Sequence, residues 1–300
     1  MGNSVVVLEK TLSCGLMKLA GLQQITVQLQ PGTMLRLWAP SLKHPKKPVV
    51  VLLHGFAANG NLTWMLQVGA LAKNYSVYVP DLLFFGGSFT DRSDRSPNIQ
   101  ADCLVECLGH LGVDKCVIVA FSYGGIVAFK MAEKYPEFIQ ALVISGFILN
   151  LTEPISDVNL DKLGVSSSAE LLLPTSVQGL KDVFSLVIHA KIWVPYCLYR
   201  DFLEVMFTNR KQRRELLEAS TICNKENIFP DFVQKIHLLW GAEDQVFSTE
   251  VAYKMKEKLG EKATMESIKK GGHLVHLERP LAYNRQLKKF LASLQKEGDQ

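Results

Sequence analysis

The chain has 300 residues, of which 48% are hydrophobic and 21% charged, and its formal net charge is +4. These values are typical of a globular protein with one large α/β domain, or a domain with an insertion. The basic clusters at 43–47 and 210–214 have no interleaved aromatic residues, so we expect solvated surfaces and no nucleic-acid partner.

The cysteines and the hydropathy pattern bear on cofactors, cellular location and membrane segments. The six cysteines form no C-x-x-C pair and have no zinc-ligand spacing with a histidine, so we expect no metal and no other cofactor. Free thiols are typical of a reducing compartment, which predicts a cytoplasmic location. The sequence contains no run of about 20 apolar residues, so we expect no membrane-spanning helix. The chain start lacks the features of a secretion signal, and Val6 argues against a myristoylation signal.

The first predicted element is a short helix within "TLSCGLMKLAG". Leu12, Leu16 and Leu19 share one face of this helix. We expect that face to pack on the body of the protein, and peripheral contact with a membrane surface is the alternative.

Strands and helices then alternate along the chain. A hairpin is predicted over 25–40, where Pro31 and Gly32 supply the turn. The predicted strands that follow are 48–55, 75–81, 115–120, 139–145, 235–241 and 263–269. The predicted helices between them are 63–73, 98–111, 123–134, 249–259 and 280–295. This alternation predicts an α/β fold with a mostly parallel, twisted sheet flanked by helices.

One stretch breaks the alternation. Residues 148–232 contain several helical segments and no convincing strand. We therefore predict three regions: a first core part at 1–147, a helical cap at 148–232 and a second core part at 233–300.

A serine stands at the sharpest predicted turn, between a buried strand and a helix in "CVIVAFSYGGIVAFKM". Ala120, Gly124 and Gly125 are the small neighbours that such a close approach of strand and helix requires. The pattern matches a nucleophile elbow, G-x-S-x-G, with alanine in the first position. We therefore predict that Ser122 is a catalytic nucleophile.

A serine hydroxyl needs a base, and the base needs an acid that orients it. His273 follows a predicted strand and two glycines, and Asp244 follows the neighbouring predicted strand. We predict these two residues as base and acid, with His276 and Glu243 as the weaker alternatives. The backbone N–H groups of Phe56 and Tyr123 are the predicted oxyanion donors.

These motifs, H-G-F at 54–56, A-F-S-Y-G-G at 120–125, G-A-E-D at 241–244 and G-G-H at 271–273, resemble the α/β-hydrolase superfamily. The chain is similar in particular to plant α/β hydrolases, which in turn resemble monoacylglycerol lipases and meta-cleavage-product hydrolases. The resemblance implies an α/β-hydrolase fold and a serine hydrolase with a helical cap. Epoxide hydrolases share the fold but need an aspartate nucleophile, and position 122 is serine.

We expect two-step hydrolysis of an apolar, uncharged carboxylic ester, as in a lipase-like esterase. Phe147, Leu149 and Trp193 are the predicted substrate-binding residues. One alternative is carbon–carbon bond hydrolysis of the meta-cleavage-product type, in which Arg200 would hold an acidic substrate. Others are a small-molecule receptor that keeps the triad, and an acyltransferase or lyase with the same site. The sequence predicts no oligomeric state.

Overall fold

A computed structural model describes residues 3–42, 47–149, 167–224 and 230–298. Parts of the predicted cap, at 150–166 and 225–229, and most of the basic cluster at 43–47 lie outside these ranges.

The described residues form one sheet of nine strands, in the order β1-β2-β4-β3-β6-β7-β8-β9, with β5 paired to β2. The strands are β1 (Leu22–Gln30), β2 (Thr33–Pro40), β3 (Val49–Leu53), β4 (Ser76–Pro80), β5 (Phe89–Thr90), β6 (Cys116–Phe121), β7 (Ile139–Ser145), β8 (Lys235–Gly241) and β9 (Ala263–Ile268). The pairs of β2 with β1, β4 and β5 are antiparallel, and the other neighbours are parallel. The predicted α/β-hydrolase fold class, a mostly parallel sheet flanked by helices, is confirmed.

The helices of the described part cover both faces of the sheet and the region between β7 and β8. They are α1 (Ser4–Leu8), α2 (Cys14–Leu19), α3 (Gly60–Trp64), α4 (Val68–Leu71), α5 (Pro97–His110), α6 (Tyr123–Lys134), α7 (Ser168–Leu172), α8 (Val177–Val187), α9 (Tyr196–Met206), α10 (Arg210–Asn224), α11 (Thr249–Leu259), α12 (Val275–Glu278) and α13 (Pro280–Gly298). The helix predicted over 63–73 is two short helices, α3 and α4. None of the described helices is both long and apolar enough to cross a membrane.

The central strands carry the core because both of their faces are covered. Along β3, Val51 and Leu53 belong to one apolar cluster, and Val50 and Leu52 belong to the cluster on the opposite face. All four side chains are fully buried. Each contributes roughly 1.5–3 kcal/mol relative to an exposed position. The near-continuous apolar run that marked this strand in the sequence therefore reflects a sheet with two covered faces.

The first helices pack on the body through a different face from the one expected. Val5 and Met17 are buried, whereas Leu12 and Leu19 are 44% and 86% exposed. A π-helical turn, Glu9–Ser13, separates α1 from α2. Because a turn closed by i→i+5 bonds holds more residues than an α-turn, it shifts the helical face that follows it. The regular spacing does not hold between Leu12 and the residues after this turn, and within α2 the buried side chain is that of Met17, whereas Leu16 is half-buried and Leu19 is exposed.

The described part of the region between β7 and β8 contains four helices, α7 to α10, joined by irregular segments, and no strand. Its helix α8 buries Leu180, Val183 and Leu186, which lie three residues apart on one face. The division into core and cap at 148 and 232 stays a prediction.

Candidate active site

Ser122 occupies the turn between β6 and α6 on an unusual backbone, with φ 50° and ψ −120°. Such a conformation costs a non-glycine residue on the order of 1–3 kcal/mol, and the surroundings must hold it in place. Here the Ser122 N–H donates to Ser145 O at 2.9 Å, and Gly125 N–H donates to Ser122 O at 2.7 Å. The side chain is half-buried. The fold therefore holds the strained turn and leaves the hydroxyl partly accessible.

The small residues around the elbow allow its close packing. A Cβ on Gly124 would lie 2.7 Å from His54 O, and a Cβ on Gly125 would lie 2.6 Å from Phe147 Cβ. Neither distance is tolerated between real side-chain atoms, so both positions require glycine. The requirement for small neighbours that the sequence suggested thus has a direct steric cause.

His273 and Asp244 form a buried hydrogen bond of 3.0 Å between Nδ1 and Oδ2. The other carboxylate oxygen, Oδ1, accepts the N–H groups of Val246 at 2.8 Å and Phe247 at 3.0 Å. Because a carboxylate only accepts, His273 Nδ1 carries the proton in this bond. Nε2 is then left as the basic nitrogen of the ring.

The loop of His273 meets the elbow at the carboxyl edge of the sheet. The ring centroid of His273 lies 4.9 Å from that of Phe121, the residue before Ser122. A Cβ on Gly146, which follows the strand residue bonded to Ser122, would lie 2.7 Å from His273 Cε1. The structure therefore brings Ser122, Asp244 and His273, which are far apart in the sequence, to one edge.

Glu243 holds the histidine loop and makes no bond to His273 among the described contacts. Its carboxylate accepts Gly271 N–H at 3.1 Å, and its own N–H donates to Gly271 O at 3.0 Å. A Cβ on Gly241 would lie 2.0 Å from Gly272 O, so the two loops are packed backbone to backbone. This arrangement gives Glu243 a structural function next to the predicted acid.

The predicted oxyanion donors lie on two adjacent segments. Phe56 follows β3, Tyr123 begins α6, and their ring centroids are 5.6 Å apart in a T-shaped arrangement. The buried His54 ring fixes the first segment, because Nδ1 bonds Gly55 O at 2.7 Å and Nε2 accepts Leu82 N–H at 2.9 Å. Burial lowers the pKa of His54 to about 4, which keeps this acceptor nitrogen unprotonated at neutral pH.

His276 lies behind the site as a neutral aromatic ring. It is fully buried, 4.5 Å from the ring centroid of Phe121 and 4.9 Å from that of Trp64. Neither ring nitrogen has a hydrogen-bond partner among the described residues. Burial, with a smaller contribution from His273, lowers the pKa of His276 to about 3. This packing gives the alternative base a structural function.

His276→Phe is expected to reduce the acid sensitivity of the fold. The pKa of His276 is about 3 in the folded state and about 6.5 in the unfolded state. The contribution of the neutral ring to the free energy of unfolding is therefore complete above pH 6.5 and is lost as the pH falls towards 3. Replacing the ring should make the loss of unfolding free energy between pH 6.5 and 5 smaller by about 2 kcal/mol. Urea unfolding at both pH values measures this difference. His110→Gln, at an exposed position of α5, should leave it unchanged.

The predicted substrate-binding residues lie in different environments. Phe147 and Leu149, which follow β7, are 8% and 9% exposed, and Phe147 contacts the elbow at Gly125. Trp193, in contrast, is 86% exposed, so the prediction that it lines a pocket is wrong for this arrangement. It lies in an irregular segment between α8 and α9 that carries its side chain on the surface. Arg200 is also at the surface and pairs with Asp201 at 2.9 Å.

Glu278 joins the histidine loop to the region between β7 and β8, a contact for which the sequence pattern contains no signal. One carboxylate oxygen accepts Gly272 N–H at 2.7 Å, and the other accepts Ala190 N–H at 2.8 Å. Nearby, Leu274 N–H donates to Val187 O at 3.1 Å. We call these three hydrogen bonds the Glu278 bridge.

Comparison with known families and proteins agrees with this fold. Residues 48–167 match a family described as the alpha/beta hydrolase fold. Epoxide hydrolase 4 of mouse is 26% identical over 82% of this chain and 73% of its own length. The alignment with human epoxide hydrolase 4 has 33% identity but covers only 34% of this chain and 28% of the human protein. Bovine monoacylglycerol lipase ABHD6 is 26% identical, over 83% of this chain and 76% of its own.

Solved structures give the same result for the fold. A putative lipase from Acinetobacter baumannii superposes with a TM-score of 0.81 at 19% identity, covering 99% of this chain and 98% of its own. A 2-hydroxy-6-oxo-6-phenylhexa-2,4-dienoate hydrolase from Rhodococcus has a TM-score of 0.74 at 17% identity, covering 90% and 99%. The predicted resemblance is confirmed, and the narrower similarity to plant proteins stays a prediction.

Proposed function

This chain has the α/β-hydrolase fold, and from that premise we propose that it is a serine hydrolase of carboxylic esters. The observation that carries the proposal is the hydrogen bond between His273 and Asp244 at the sheet edge where Ser122 occupies its strained turn. A histidine held by a buried carboxylate at the same edge as a partly accessible serine is the arrangement that generates a serine nucleophile.

The proposed reaction has two steps. His273 Nε2 takes the Ser122 proton while Oγ attacks the ester carbonyl, and Asp244 stabilises the imidazolium that forms. The N–H groups of Phe56 and Tyr123 stabilise the oxyanion. The protonated His273 then gives its proton to the departing alcohol, and a water activated by the same ring releases the acid from Ser122.

An ester substrate fits the residues better than an epoxide. Epoxide opening on this fold uses a carboxylate nucleophile, as noted above, and the elbow here carries the hydroxyl of Ser122. The relatives named epoxide hydrolase therefore support the fold, whereas those named lipase are the better guide to the reaction. The buried side chain of Phe147 beside the elbow, with the buried Leu149 two residues on, suits an apolar acyl group.

A fluorophosphonate probe tests the proposal directly. We expect stoichiometric labelling of the folded protein, with the label on the peptide that contains Ser122 by mass spectrometry, and no labelling after heat denaturation. p-Nitrophenyl esters of two to twelve carbons should be hydrolysed and should protect Ser122 from the probe. Absence of labelling at Ser122 in the folded protein would contradict the proposal. Labelling without turnover would instead favour the receptor alternative.

A further inference from the structure

Arg213 on α10 is a buried cation, although the sequence suggested a solvated basic face at 210–214. The residue is 3% exposed. Its Nε donates to Phe84 O at 3.0 Å, its Nη1 donates to Met206 O, and its guanidinium carbon lies 4.1 Å from the centre of the Phe85 ring. These contacts account for two of its five N–H donors and leave three, one on Nη1 and both on Nη2, without a described partner.

No carboxylate pairs with Arg213 in the part of the chain that the structure describes. Asp81 raises the pKa of Arg213 slightly from a longer distance. The Asp81 carboxylate itself is already bound by Arg36 at 3.3 Å and by Gly60 N–H at 2.9 Å. Burial lowers the pKa of Arg213 to about 10, which still leaves the side chain charged at neutral pH. A buried charge without a counter-ion is unfavourable, so this position favours the arrival of an anion.

A neighbouring arginine shows the ordinary arrangement. Arg95 lies 4.6 Å from the centre of the Phe84 ring, as Arg213 lies over Phe85. Its Nε also donates to Glu215 Oε2 at 2.9 Å, so its charge is neutralised within the protein. Two adjacent phenylalanines thus each stack with an arginine, and of these two arginines only Arg95 has a carboxylate partner among the described residues.

The Phe85 ring connects Arg213 to the candidate active site. Its centroid lies 5.4 Å from that of Phe56 and 6.1 Å from that of Tyr123, the two residues proposed to supply the oxyanion donors. It also lies 5.1 Å from the His54 ring that fixes the Phe56 segment. Arg213 is therefore one aromatic ring away from the position of the reacting carbonyl.

We propose that Arg213 binds an anionic oxygen group, a carboxylate or a phosphate, on the substrate of the hydrolase. This inference rests on the proposed ester hydrolysis and changes its expected substrate class, from an uncharged ester to an ester that carries a negative charge. The planar guanidinium matches both kinds of oxyanion through paired N–H···O bonds. The remaining N–H of Nη1 and the two of Nη2 are the donors left for this contact.

Matched ester pairs test the role of Arg213 and identify the anion. One pair is p-nitrophenyl hydrogen adipate and its methyl ester, which places a carboxylate on the acyl side. The other is 1-oleoylglycerol 3-phosphate and 1-oleoylglycerol, which places a phosphate on the alcohol side. We expect the wild type to prefer the charged member of one pair by at least tenfold. Arg213→Met should raise KM for that member about 100-fold and change the neutral member less than threefold.

Two further variants separate recognition from structure. Arg95→Met removes a similar stacked arginine and should affect charged and neutral esters equally, whereas Arg213→Lys should restore part of the charge preference. Equal losses for both members in Arg213→Met, or no preference for charge in the wild type in either pair, would overturn the proposal. Unchanged fluorophosphonate labelling of Ser122 in Arg213→Met shows that this variant is folded.

Direct binding distinguishes failure of this inference from failure of the proposed function. Calorimetry of the charged esters uses Ser122→Ala protein with and without Arg213→Met. If Arg213→Met abolishes charge-dependent binding and the wild-type protein hydrolyses none of the esters, the anion site is retained and the hydrolase is rejected. If the wild-type protein hydrolyses the esters but binding does not depend on their charge, the hydrolase is retained and the anion site is rejected.

Discussion

Ser122→Ala should lower kcat for ester hydrolysis by about 10⁴- to 10⁶-fold and leave KM within a few-fold of the wild-type value. The variant removes the Ser122 hydroxyl, so no acyl-enzyme can form on this residue. The oxyanion donors and the binding contacts remain, and they retain a residual rate about 10³–10⁴ above that in water. Steady-state assays with a p-nitrophenyl ester, read against the spontaneous rate, measure both quantities.

Ser145→Ala is the matched control for this experiment. Ser145 ends the neighbouring strand β7, is fully buried, and shares a 3.0 Å hydrogen bond with the Tyr283 hydroxyl. Its loss should change kcat less than tenfold, because no step of the proposed reaction uses its hydroxyl. A Ser122→Ala protein that keeps more than about 1% of wild-type kcat would reject Ser122 as the nucleophile.

Asp244→Asn is the second large effect, with an expected loss in kcat of about 10⁴-fold at neutral pH. The two N–H donors of Val246 and Phe247 fix one oxygen of the side chain. The amide group of asparagine must therefore face His273 Nδ1 and donate to it. That contact places the histidine proton on Nε2, where the ring no longer accepts the proton of Ser122.

Glu243→Gln tests whether this loss is specific to the orienting acid. Glu243 is adjacent in sequence and holds Gly271, so its amide variant perturbs the same loops without touching His273. We expect less than a tenfold change in kcat. Equal losses in the two variants would mean that loop packing, and not the His273 tautomer, explains the effect. Circular dichroism and thermal unfolding of both proteins show whether the fold is retained.

The sequence was most informative where one physical requirement acts on consecutive residues. The apolar runs of the central strands are set by two covered faces, and the small residues around Ser122 are set by the close approach of strand and helix. The order of Ser122, Asp244 and His273 was readable because each follows a strand, and parallel strands bring such positions to one edge. The predicted triad roles themselves await the kinetic experiments above.

The sequence was least informative where a side chain depends on a distant partner. Helical spacing selected Leu12 and Leu19, but a single π-turn shifts the buried face. Trp193 was placed in the pocket by its chemistry, whereas the irregular backbone around it sets its exposure. Arg213 belonged to a basic cluster in the sequence, and only the packing of α10 against Phe85 distinguishes it from its solvated neighbours.

The Glu278 bridge has a mechanical consequence for how substrate enters. It ties the C-terminal end of α8 and the residue Ala190 to the backbone on either side of His273. If His273 is the base that we propose, movement of the region between β7 and β8 at this corner would displace the His273 backbone relative to Ser122. We therefore expect this corner to stay fixed during turnover and substrate to enter from another side.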